Sequence, residues 1–131
     1  MSNQDVYRAY FEKWARISHV VKLSDEDLSW LGFTVVDILD FEVELVVVTH
    51  GEKGLSGFRR NENIIVEGVS VDVVDTVGAG DTVGAILIEG ILKYGELSGE
   101  KLKTVLVRAA KAAAFTCSRA GAKPPKLADL K

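Results

Sequence analysis

The stretch VSVDVVDTVGAGDTVGAILIEGIL, from Val69 to Leu92, decides how this chain is read. Its first part alternates apolar and polar residues like a strand. Its last part repeats apolar residues at helical spacing, with Val83, Leu87, Ile91 and Tyr94 near one face. Between them lie Gly78, Ala79 and Gly80, followed by the carboxylate of Asp81. Glycine lets backbone approach a ligand closely and adopt positive φ. The open N–H groups of a first helical turn, with the helix dipole behind them, favour an anion and above all a phosphoryl group. The competing reading is a glycine turn that only reverses the chain between strand and helix. On that reading Asp81 is ordinary N-terminal dressing, contributing about 0.3–1 kcal/mol through the dipole. No Lys-Ser or Lys-Thr pair follows, so the stretch is not a Walker loop, nor is it the dinucleotide G-x-G-x-x-G fingerprint.

Working outward, helices and buried apolar strands interleave. Residues 4–16 place Val6, Tyr10, Phe11 and Trp14 at helical spacing, and ISHVVKL (17–23) is a short β-branched run. SDEDLSWL (24–31) opens a second helix with Ser24 as N-cap and Asp27 three residues on. FTVVDILDF fits a third short helix. VELVVVTH (43–50) reads as a strand covered on both faces. GEKG (51–54) turns the chain, and LSGFRR and NIIVEG read as strands of a hairpin or edge. VSVDVV (69–74) predicts a further strand, followed by helices from about Asp81 to Lys93 and from about Ser98 to Cys117. The expected class is α/β, one domain over residues 1–131, with an at least partly parallel sheet.

With 131 residues, 47% hydrophobic and 27% charged, the chain suits a globular domain. A net charge of −3 gives no basis for nucleic acid or an anionic membrane as partner. No apolar run is long enough to span a bilayer, and the charged N-terminal stretch does not read as a secretory signal. A single cysteine, Cys117, excludes an internal disulfide and suits a reducing cytoplasm.

The motif DTVGAGDT (Asp75–Thr82) resembles the C-terminal signature of the ribokinase-like, or PfkB, carbohydrate kinases. VVKLSDEDLSWL, VVVTHGEKG and AAKAAAFTCSRAGA resemble the upstream strand and capped helix, the strand and turn bordering the nucleotide phosphates, and the final helix beside adenine. The resemblance covers about Asp5 to Pro125 and is nearest to bacterial fructokinases. It implies the C-terminal part of a three-layer α/β/α fold with a mainly parallel sheet. It implies Asp81 as general base toward a sugar hydroxyl, with the N–H groups of Gly78, Ala79 and Gly80 as anion hole. It also implies Thr49, Gly51 and Gly54 at the ATP phosphates and ribose, Ala110 and Ala113 beside adenine, and Mg2+ as companion ion. Asp75, the Val77 carbonyl and the neighbourhood of Arg119 and Gly121 match where such kinases bind a monovalent cation such as K+. Two positions depart from the pattern: Val83 stands where Phe is usual, and Ile86 where a small residue is usual.

Members of the family are much longer, with an N-terminal half that carries most of the sugar-binding residues and a β-sheet lid. That half and the lid are not found in this sequence, and MSNQDVYRAYF resembles the middle of such a kinase. Little phosphorylation by the chain alone is expected, since water exclusion and sugar binding belong to the other half. That half is then a partner of the chain, and self-association through an uncovered surface is expected too. Ribokinase, 2-keto-3-deoxygluconate kinase and nucleoside kinase activities stay open, as does a non-catalytic nucleotide- or anion-binding module of the same fold. His19 and His50 read as structural, Cys117, Trp14 and Trp30 as core, and Asp25–Asp27 as a solvated first turn.

Overall fold

The computed structural model describes residues 2–119. Strand β2 (Leu45–Thr49) is apolar at successive positions, and both its faces are covered. Leu45 and Val47 pack on one side with Leu87, Leu102 and Leu106. Val46 and Val48 pack on the other with Ala15, Leu31 and Ile38. A strand apolar on both faces requires helices above and below it, and three layers result.

One outer layer holds α1 (Asn3–Ala15), α2 (Asp25–Leu31) and α3 (Val35–Leu39). Each starts at a hydroxyl cap: Ser2 accepts from the Asp5 N–H, Ser24 from Asp27 and Thr34 from Asp37. The other layer holds the longer pair α4 (Ala79–Tyr94) and α5 (Gly99–Cys117). Between them lies a four-stranded sheet in the order β1 (Val20–Ser24), β2, β3 (Gly54–Arg59), β4 (Glu62–Glu67).

The α/β/α layering agrees with the sequence, but the sheet is mixed rather than mainly parallel. Only β1 and β2 run parallel, with Val20 opposite Leu45; β2–β3 and β3–β4 are antiparallel. The cause is local. The turn at 51–54 and the tight link between Arg59 and Glu62 connect neighbouring strands directly, and such connections yield antiparallel pairs.

Residues 69–74 form no strand, despite their alternation. The segment leaves β4 and crosses toward α5, where the Val74 and Asp75 N–H groups donate to the Cys117 carbonyl at 2.8 and 3.1 Å. Period-2 patterning specifies a strand only where a neighbouring ladder exists to pair with it. Trp14 and Trp30, expected in the core, are 62% and 49% exposed. Helix α1 turns only the Phe11 and Ala15 edge inward, and Tyr7 meets Trp30 edge-to-face on the outer surface.

At Gly90 the α4–α5 pair leaves no room for a side chain: an added Cβ would lie 2.6 Å from Cγ2 of Val105. Replacing a helical glycine with alanine ordinarily gains roughly 0.5–1 kcal/mol, whereas overpacking costs about 1–3 kcal/mol. Gly90→Ala should therefore destabilise the fold in urea unfolding. In a Val105→Ala background the same change should be neutral or stabilising, because the clash is gone.

Candidate functional site

At the end of β2, the chain passes through a 3-10 turn (Gly51–Lys53) into β3. Thr49 lies on the same face of β2 as Leu45 and Val47, toward α4 and α5. There a cavity of about 530 Å3 opens. Thr49, Gly51, Gly54 and Leu55 line one wall, Ala79, Gly80 and Val83 of α4 a second, and Ala110, Ala113, Ala114 and Cys117 of α5 a third. Gly68, Val69, Ser70 and Val71 complete it from the segment after β4.

Two glycines in this wall are required by close backbone approach. A Cβ on Gly54, at φ +110, would sit 2.0 Å from the Val66 carbonyl oxygen, and one on Gly68 would sit 1.9 Å from that of Glu52. The turn is thus pressed against the end of β4.

Helix α4 begins two residues earlier than its periodicity suggests, so Ala79 and Gly80 belong to its first turn and Gly78, at φ +85, is the N-cap. Upstream, the Asp75 carboxylate accepts from the Val77 N–H at 2.9 Å. The Ala79 N–H turns back to the Thr76 carbonyl at 3.3 Å, whereas those of Gly78, Gly80 and Asp81 meet no acceptor among the described residues. A cluster of open donors at a helix start is an anion-binding arrangement. Asp81 itself stands exposed at the edge of this turn and does not line the cavity.

Lys22 escapes sequence reasoning. On β1 it shares the face of Val20, toward α4, and its Nζ donates to the Gly80 carbonyl at 3.0 Å. An ammonium thereby joins the open N–H groups, adding positive charge where the helix dipole already favours an anion. Its sequence signal was a lone lysine at an inward-facing strand position, two residues before the Ser24 cap.

The remaining candidates fall out as follows. Asp75 and Val77 are adjacent in the turn before Gly78, while Gly121 lies outside the described residues. Among the described residues no group of three or more His, Cys, Asp or Glu is placed to hold a metal ion. His50 is bonded on both ring nitrogens, to Asp25 Oδ2 at 3.2 Å and to Ser56 Oγ at 3.0 Å. The three side chains form a Ser–His–Asp constellation, but Ser56 is only 3% exposed. It shares the β3 face of Phe58, away from the cavity, so it is no accessible nucleophile. The bonded set ties the start of α2 to the turn below the cavity, and His50 keeps its structural role.

A profile described as pfkB family carbohydrate kinase matches residues 2–129. A fructokinase from Rhizobium leguminosarum bv. trifolii is 37% identical over 91 residues, covering 65% of this chain and 28% of its own length. Among solved structures, a fructokinase double mutant from Vibrio cholerae O395, bound to fructose, ADP and a potassium ion, superposes with a TM-score of 0.79. It is 29% identical, covering 88% of this chain and 39% of that one. Aminoimidazole riboside kinase from Salmonella enterica shares the fold at a TM-score of 0.83, with 20% identity over 99% of this chain and 44% of its own. The chain thus spans well under half the length of these relatives.

Burial, and secondarily the charge of Asp75, raise the Cys117 thiol above its ordinary pKa. Asp75→Asn removes the repulsion that disfavours the thiolate, so the pKa should fall. Alkylation of Cys117 by iodoacetamide near pH 8 should accelerate, and the midpoint of its rate-versus-pH profile should move to lower pH.

Proposed function

The chain belongs to the pfkB family of carbohydrate kinases, and on that premise we propose that it carries the nucleotide-binding and phosphoryl-transfer side of an ATP-dependent sugar kinase, with fructose as the leading substrate. The observation that carries this reading is convergence. Thr49, Gly51, Gly54, Ala79, Gly80, Ala110 and Ala113, chosen from separate stretches of sequence, line one cavity. Its volume lies within the range of small-molecule sites. The alanine face of α5 offers a flat apolar wall for a purine, and the α4 start offers charge for phosphates.

In the proposed reaction Asp81 takes the proton from a sugar hydroxyl while that oxygen bonds to the γ-phosphorus of ATP. The bond from phosphorus to the β,γ-bridging oxygen breaks, and ADP leaves. Charge on the transferred phosphoryl faces the open N–H groups of Gly78, Gly80 and Asp81 and the Lys22 ammonium, while the Ala79 N–H stays on the Thr76 carbonyl. Phosphoryl transfer depends chiefly on such positioning and charge stabilisation. Mg2+ would enter with the nucleotide, held largely by phosphate oxygens, and would neutralise phosphate charge. Asp75, the Val77 carbonyl and Gly121 are proposed to hold a monovalent cation; the Vibrio cholerae enzyme's potassium ion supports that class of cofactor. The sugar pocket is proposed to come from a further half of the kinase, which would also exclude water.

Calorimetric titration of MgADP and MgATP into the chain tests the reading. A Cβ at Gly80 would meet only the flexible end of Lys22, at 3.3 Å, so Gly80→Val should fold while crowding the open N–H groups. Nucleotide binding weakened at least about tenfold by Gly80→Val, and left intact by Asp81→Asn, is expected, with negligible fructose phosphorylation by the chain alone. A folded chain that binds neither nucleotide would overturn the reading. Binding by this chain, without turnover even when the N-terminal half of a fructokinase relative is supplied, would favour a non-catalytic nucleotide module.

A further inference from the structure

The loop from Val74 to Gly78 is gripped at both ends by consecutive residues of α5. At its start, the Val74 and Asp75 N–H groups donate to the carbonyl of Cys117. At its end, the Gly78 carbonyl accepts from Thr82 Oγ1 at 2.9 Å, and that hydroxyl lies 2.9 Å from Thr116 Oγ1. Thr116 Oγ1 in turn lies 3.1 Å from the Ala112 carbonyl. Both threonines are buried, at 6% and 1% exposure.

Two hydroxyl protons serve three short contacts, so the set runs in one of two directions. Either Thr116 donates to Thr82, which donates to the Gly78 carbonyl, or Thr82 donates to Thr116, which donates to Ala112. The first direction polarises the peptide whose other end is the Ala79 N–H, which closes the turn onto the Thr76 carbonyl between the open donors of Gly78 and Gly80. Neither carbonyl needs the hydroxyl for helix formation: the Thr82 N–H already reaches Gly78 at 2.9 Å, and Ala112 sits inside α5. A buried hydroxyl pair beyond what the helices require, sited where the loop must be aimed, is placed for positioning.

We propose that Thr82 and Thr116 are positioning residues for the nucleotide phosphates, fastening the N-cap of α4 to the helix that walls the base side of the cavity. The pair rests on the nucleotide reading above and refines it. It sets the distance between base wall and anion hole, so its loss is felt by the phosphates and not by the base.

Thr116→Val keeps the side-chain shape and removes the hydroxyl; Thr116→Ser keeps the hydroxyl. Affinities for MgADP and for adenosine are measured by calorimetry on the chain and both variants, with thermal midpoints alongside. The expected result is MgADP binding weakened about tenfold in Thr116→Val and restored to the wild-type value in Thr116→Ser, with adenosine binding unchanged in both. Equal weakening of both ligands, which a merely structural role would produce, overturns the proposal, as does no change in either. Should Thr116→Val fail to fold, Thr82→Ser and Thr82→Ala carry the same comparison. A wild-type chain that binds neither ligand overturns the nucleotide reading itself, an outcome distinct from a bound nucleotide indifferent to Thr116.

Discussion

Everything in this molecule is arranged about a strand that cannot meet water on either face. Val46 and Val47 of β2 are wholly inaccessible, and their side chains point into opposite cores. Burying side chains of that size stabilises by about 1.5–3 kcal/mol each, so neither face can be given up. Helices must therefore cover both sides, and the polar end of the strand, Thr49 and His50, is the first place where backbone and solvent meet. Loops and helix starts collect there, as they do beyond strand ends in open α/β sheets generally.

The antiparallel hairpin then narrows that opening. Glycines at 54 and 68 allow backbone to press on backbone where any side chain would collide. The chain leaving β4 is thereby committed to cross the mouth of the cavity toward α5. Gly54 thus serves the fold and the site through one geometric demand. Lys22 belongs to the same logic from the other edge: parallel pairing of β1 with β2 sets its register, and alternation then turns its ammonium toward the Gly80 carbonyl.

Much of this was legible in the sequence because its signals are local. The hydroxyl cap at Ser24, the unbroken apolar run of β2 and the α5 alanine stripe each announce themselves within a few residues. The GAGD turn and the residues lining the cavity were legible through family resemblance rather than through periodicity. What failed was whatever depended on a neighbour. VSVDVV has the pattern of a strand but no ladder to join. Trp14 has helical spacing but sits off the narrow edge that α1 turns inward, since the two arginines Arg8 and Arg16 cover Phe33 and Phe41 instead. The Ser56–His50–Asp25 set and the Thr82–Thr116 pair join residues far apart in sequence, and no spacing rule brings them together.

The position of Asp81 has a chemical consequence. A carboxylate beside open N–H donors is equipped to receive a proton as charge builds on a phosphoryl group. Asp81 is exposed, so on the proposed reading water reaches the same turn as the sugar hydroxyl would. Selectivity for a sugar would then come from whatever covers that turn, because excluding water would both strengthen the proposed anion hole and remove the competing nucleophile. The described residues bring open N–H donors, the Asp81 carboxylate and the alanine face of α5 to the start of α4 and its cavity, and beside them Val74 and Val77 remain exposed. An apolar rim around a charged centre is what a closing body would have to meet. On the proposed reading the kinase chemistry would be divided: this chain would hold the charge, and closure would supply the dryness that makes the charge effective.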